Sequence, residues 1–156
     1  MAFKKFIKYY AKVYAGVKML MIDFISELLT NVIFLSVFFS WLISQGLKTI
    51  VLAVKDKRFS FGLVLRRGNM PSSHSATVAG LTTAVFISEG VTVLSVSVLT
   101  FSIVVLRDLL DVNIGLPDKQ KIGLNLRTYI HKPTEVAVGI ITGIITAGIV
   151  YMLVSL

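Results

Sequence analysis

The sequence predicts an all-α, polytopic membrane helix bundle: four transmembrane helices preceded by an N-terminal amphipathic helix that lies at the membrane interface or inserts into it. Two observations carry this prediction. Hydrophobic residues make up 55% of the 156 positions and mean hydropathy is +0.83, beyond what a soluble domain with one apolar face per element needs. Several stretches also run ~20 residues with almost no charge, enough for a helix to cross ~30 Å of hydrocarbon. These runs are continuous rather than alternating, which excludes the pattern of a membrane β-barrel.

Residues 1–28 form a basic segment set apart from a transmembrane domain over residues 29–156. Lys4, Lys8 and Lys12 recur at four-residue spacing, with Phe3, Phe6, Ile7, Tyr10 and Val13 supplying apolar surface. Asp23 and Glu27 make a direct crossing costly. The first span covers residues 31–54, with Gln45 and Lys48 near its end. A basic loop follows, carrying Lys55, Lys57, Arg58, Arg66 and Arg67. The second helix starts after Pro71-Ser72-Ser73-His74 and ends near Ser88, and Glu89-Gly90 turns the chain into the third. That helix ends in Arg107, Asp108 and Asp111. A polar stretch over residues 113–132 then leads to the fourth, which starts at Pro133, a residue favoured in the first helical turn.

Two helices carry small residues at four-residue spacing, Ala76-Gly80-Ala84-Ser88 and Gly139-Gly143-Ala147. Such stripes let helices approach closely in lipid. Packing within the chain accounts for both; a homodimer is the second use they would serve. Cysteine is absent, so there is no disulfide, thiolate nucleophile or Cys-based metal site. The net charge of +8 suits basic loops at an anionic leaflet better than nucleic acid. The basic loop and the polar stretch are separated by two spans, so they share one membrane face, which the positive-inside rule makes cytoplasmic.

That shared face holds both histidines of the chain, His74 and His131. His74 sits where a loop becomes a helix, so Ser72 or Ser73 can cap the helix while free backbone N–H groups face outward. Arg66 and Arg67 lie just upstream, and an anion there would meet amides, hydroxyls and guanidinium groups together. His131 precedes Lys132-Pro133, with Glu135 four residues on and Arg127 four residues before. If the helix includes His131, the histidine and Glu135 share a face; if it starts at Pro133, Glu135 takes its third position and still reaches back. A carboxylate on one ring nitrogen would fix the tautomer and leave the other nitrogen a better nucleophile or base. Lys48 could bind an anion at the same face or anchor its helix.

Met70-Pro71-Ser72-Ser73-His74-Ser75 and His131-Lys132-Pro133-Thr134-Glu135-Val136 resemble the two histidine motifs of the acid phosphatase/vanadium-dependent haloperoxidase-related small membrane proteins. These are divergent relatives of the type-2 phosphatidic acid phosphatase superfamily. Trp41, Gln45 and Lys48 match the pattern of that family's first span. The resemblance runs from residue 31 to the C-terminus and implies a metal-independent, cofactor-free lipid phosphatase. It implies that His131 attacks phosphorus and forms a phosphohistidine, with Glu135 in the role of the usual aspartate. His74 would protonate the leaving oxygen and then activate water. Lys48, one or both of Arg66 and Arg67, Ser72, Ser73 and Arg127 would hold the phosphate oxygens.

The chain departs from that pattern in three places, one of them Arg127, which only approximately takes the place of the arginine of the superfamily's third motif. Asp108-Leu109-Leu110-Asp111-Val112-Asn113 keeps Asp108 and Val112 but lacks the arginine pair that usually follows. Asp118-Lys119-Gln120 stands where glycine-lysine-glutamine is usual, so Asp108 and Lys119 are additional candidates. The missing arginines leave a second function open, a phospholipid-binding or assembly protein without turnover. A third reading takes Asp108, Asp111 and Asp118 as a metal site of a membrane phosphotransferase, but the glycine-rich surroundings of such enzymes are absent.

Overall fold

The computed structural model describes residues 2–57, 70–111 and 132–156; the side chains of residues 2–8, 11 and 111 lie outside that description. Five helices run in order: α1 Ala2–Thr30, α2 Val32–Asp56, α3 Ser73–Glu89, α4 Val93–Asp111 and α5 Pro133–Val154. The chain divides into two compact units, Met1–Asn31 and Val32–Leu156. The first is α1, 29 residues long. Its hydroxyls bond back to their own backbone, Ser26 Oγ to the Asp23 carbonyl at 2.8 Å and Thr30 Oγ1 to the Ser26 carbonyl at 3.0 Å. Lys12 and Lys18 are exposed; the side chains of Lys4 and Lys8 lie outside the described residues.

The second unit is a bundle in which α3 packs against α2, α4 and α5, and α2 also packs against α5. Among the described residues three helices, not the expected four, are long and apolar enough to cross a membrane: α2, α4 over Val93–Leu110, and α5. The helix that falls short is α3. At 17 residues it rises only roughly 25 Å at 1.5 Å per residue. Its composition explains the exception. Ser73, Ser75, Ala76, Ala79, Gly80, Ala84 and Val85 are buried against other helices, so its surface meets protein where an ordinary span meets lipid.

Close approach requires glycine at three points around α3. A side chain at Gly143 of α5 would run into the Ala76 carbonyl and the Gly80 amide of α3. At Gly80 it would meet the Ser40 hydroxyl of α2, and at Gly139 the Ser72 carbonyl and the Ser75 hydroxyl. Ser40 Oγ also donates to the Gly143 carbonyl at 3.4 Å, tying α2 to α5. On the other side of α3, the Thr82 and Ser102 hydroxyls meet at 2.7 Å and hold α4. The hairpin between α3 and α4 turns at Gly90, whose φ of +68° suits glycine and whose N–H caps the helix on the Phe86 carbonyl at 3.0 Å.

Candidate functional site

The start of α3 is built by its own serines. Ser72 is the N-cap in an extended conformation, following a cis Met70–Pro71 bond. Its hydroxyl accepts from the Ser75 N–H at 3.5 Å, and its carbonyl accepts from the Ser75 hydroxyl at 3.0 Å and the Ala76 N–H at 3.1 Å. Ser73 and His74 are the first two helical residues. Ser73 is buried and its carbonyl accepts from Thr77 Oγ1 at 2.7 Å; His74 is exposed. The helix therefore presents its positive end at His74, with its cap occupied by Ser72.

The start of α5 lies directly against this cap. The Ser72 N–H donates to the Glu135 carbonyl at 3.0 Å, so two segments more than 60 residues apart meet backbone to backbone. Pro133 takes the first helical position behind an N-cap at Lys132. The helix thus starts after His131, and Glu135 occupies the third position in the first turn, where a carboxylate is favoured by the unsatisfied N–H groups. Its carbonyl faces Ser72 and its side chain is buried, with 8% exposure.

The α2 helix brings the third component. Lys48 is also only 8% exposed, and its charge interacts with that of Glu135. Two ionisable groups this deeply placed in a membrane bundle are costly unless each offsets the other or serves a ligand. One turn earlier on α2, the side-chain amide oxygen of Gln45 (Oε1) is buried with no hydrogen-bond partner among the described residues. Lys48 belongs to a buried stripe that the reading by hydropathy missed: Ser36, Ser40, Ser44, Lys48 and Leu52 all face inward. The signal was present as four-residue spacing of small polar residues, which hydropathy averages away.

Of the residues singled out from the sequence, Lys48, Ser72, Ser73, His74 and Glu135 thus gather at one end of the bundle. Asp108 is exposed on the last turn of α4. That turn belongs to the same end, because α4 runs antiparallel to α3 and Ser102 meets Thr82 and the Val78 carbonyl. His131, Arg66, Arg67, Arg127 and Lys119 lie outside the described residues. So do Asp118 and the Asp111 side chain, which the metal-site reading needs.

Comparison with known proteins places this end of the bundle in context. A profile of the Divergent PAP2 family matches residues 29–146, about three-quarters of the chain and all the site residues just described. A 64-residue stretch is 38% identical to a protein of Bacillus subtilis (strain 168) named "Uncharacterized membrane protein YuiD". That stretch covers 41% of this chain and 40% of the relative, less than half of either. No solved structure matches the chain. With three helices among the described residues long and apolar enough to span the bilayer, the chain is an integral membrane protein.

Proposed function

The chain belongs to the Divergent PAP2 family, and from that membership we propose that it is a metal-independent lipid phosphatase, acting on a phosphate monoester or diphosphate of a polyprenyl or glycerolipid. The observation that carries the reading is the meeting of a buried cation, Lys48, with the His74 helix start and the buried Glu135 at one end of a membrane bundle. Phosphoryl transfer needs charge stabilisation, a nucleophile in line and an acid for the leaving group; Lys48 suits the first and His74 the last, and the nucleophile in this reading is His131, outside the described residues.

In the proposed reaction a His131 nitrogen attacks phosphorus while the bond to the lipid oxygen breaks, giving a phosphohistidine. His74, exposed at the head of α3, delivers a proton to the departing oxygen. It then takes a proton from the water that attacks phosphorus, the phosphorus–nitrogen bond breaks, and inorganic phosphate leaves. Glu135 orients His131. Lys48, the Ser72–Ser73 cap, Arg127 and one or both of Arg66 and Arg67 hold the phosphate oxygens. The active face is cytoplasmic in this reading.

The test is phosphate release by purified protein in EDTA, over polyprenyl and glycerolipid phosphates and diphosphates. Release that is lost in His131→Ala and strongly reduced in His74→Ala is the expected result. Full release by His131→Ala would sink the phosphohistidine mechanism. Lipid binding without turnover in the unaltered protein would favour the phospholipid-binding alternative, which the missing arginine pair after Asp111 keeps open.

A further inference from the structure

Three glycines let α3 approach its neighbours, and they differ in what they touch. The nearest atoms a Cβ at Gly143 would meet are backbone atoms of Ala76 and Gly80, one and two turns inside α3. A Cβ at Gly80 would meet Ser40 of α2. A Cβ at Gly139 would meet the Ser72 carbonyl and the Ser75 hydroxyl, the two groups that build the α3 cap. Gly139 is also one turn after Glu135, whose carbonyl accepts the Ser72 N–H at 3.0 Å. The first turns of α5 thus hold the cap at two points, through a hydrogen bond from Ser72 and through a contact that exists only because residue 139 lacks a side chain.

We propose that Gly139 is a positioning residue: it seats the Ser72 cap on α5 and so fixes His74 relative to Glu135. The proposal rests on the lipid-phosphatase reading for its functional consequence, but the seating itself stands on the packing alone. The Ser72 carbonyl cannot yield independently. It accepts from both the Ser75 hydroxyl and the Ala76 N–H, so pushing it shifts the whole first turn, His74 included. Displacing a reacting group by about 1 Å can cost on the order of 100-fold in rate. A glycine that served only close packing would act on stability and leave the helix start in place.

The experiment compares Gly139→Ala with Gly143→Ala in the full chain, purified in one detergent. The first readout is hydrogen exchange of the Ser72 amide, which needs no substrate. In Gly139→Ala the bond to the Glu135 carbonyl is strained, and exchange at Ser72 rises by about tenfold or more, as local opening becomes easier. In Gly143→Ala the rise falls on residues 76–80 instead. The second readout is phosphate release, in which Gly139→Ala lowers kcat by about tenfold or more with KM within about threefold, a pattern of lost transition-state alignment. If Gly139→Ala does not fold, Gly139→Ala/Ser75→Ala removes one of the two opposing groups and serves in its place.

Protection of Ser72 in the folded Gly139 variant equal to that of the unaltered protein overturns the proposal. So does an exchange pattern indistinguishable from that of Gly143→Ala. An unaltered protein that releases no phosphate from any lipid refutes the phosphatase reading while leaving the exchange arm to decide on Gly139.

Discussion

Helices α3 and α4 are neighbours of similar length, 17 and 19 residues, and opposite character. The α4 helix sets large aliphatic residues between Ser95, Ser97, Thr100 and Ser102 and has no alanine or glycine, and Leu94, Val96, Phe101, Ile103 and Val104 are all exposed. It is held mainly by α3, where Ser102 meets Thr82 and the Val78 carbonyl. The α3 helix is short and rich in serine, alanine and glycine, and most of its surface is covered. In lipid the hydrophobic effect does not draw helices together, so apolar side chains mark the surface that faces hydrocarbon. Small and hydroxyl-bearing residues mark the surfaces that face protein. The helix with the weaker membrane signal is the central one, and it is the one that opens on the candidate site.

This contrast predicts a large effect where α5 lies against the backbone of α3 itself. Gly143→Ala forces a methyl group onto the Ala76 carbonyl and within 2.8 Å of the Gly80 nitrogen. Neither atom can rotate away, so the helices must separate. Overpacking of this kind costs about 1–3 kcal/mol, toward the upper end against rigid backbone. Thermal unfolding in detergent should show a clear loss for Gly143→Ala. Gly148→Ala, on the same helix with nothing within 4 Å, should cost nothing and gain up to about 1 kcal/mol from helix propensity. Equal losses for the two would mean that α3 is not packed as closely as described.

A smaller effect belongs to the α3 cap. Ser72→Ala removes the hydroxyl that accepts from the Ser75 N–H but leaves the Ser72 amide on the Glu135 carbonyl. Loss of an N-cap side chain costs about 1 kcal/mol. The long 3.5 Å bond here places the expectation in the lower half of the usual range, and Ser72→Thr should not recover it, because Ser72 is fully buried and an added methyl has no room. Denaturation with a mild detergent series would read both. A Ser72→Ala protein as stable as the unaltered one would show that the Glu135 bond alone fixes the start of α3.

The uneven legibility of the molecule has the same physical origin. Helical class, the turn at Gly90 and the start of α5 at Pro133 follow from local rules: continuous apolar runs, a positive φ and the proline preference for the first turn. The gathering of His74 with Glu135 was half legible, since two spans between their loops put them on one face. What the sequence could not state was contact: the 3.0 Å bond between Ser72 and Glu135, or the inward turn of Lys48 along a stripe of serines. Hydropathy also overcounted the spans, because α3 is apolar enough on average to look like a lipid-facing helix while its residues are chosen for size. His131, Arg66, Arg67 and Arg127 lie outside the described residues, and their roles stand as expectations from the sequence.

The hydroxyl pair between α3 and α4 should matter less than the cap. Thr82 Oγ1 already bonds the Val78 carbonyl at 2.8 Å, so losing Ser102 leaves it satisfied. Interhelical hydrogen bonds in membranes average about 0.6 kcal/mol, and Ser102→Ala should cost no more than that in a thermal unfolding series.

The smallest effect should come from the exposed face of α4. Val104 and Phe101 are 53% and 59% exposed, so Val104→Leu and Phe101→Leu keep the surface apolar and lipid or detergent can refill most of the space. Both should lie within about 0.5 kcal/mol of the unaltered protein. This is the sharpest test of the comparison, because it asks whether apolar exposure in α4 means contact with lipid. A second copy of the chain lying on that face would make these positions a protein interface, where a change of shape disturbs packing. A loss above about 1 kcal/mol, or a fall in oligomer mass for Phe101→Leu with Val96→Leu unaffected, would reassign the α4 face from hydrocarbon to a partner. Neutral variants at all three positions leave α4 as a lipid-facing wall, with α3 as the helix around which the site is organised.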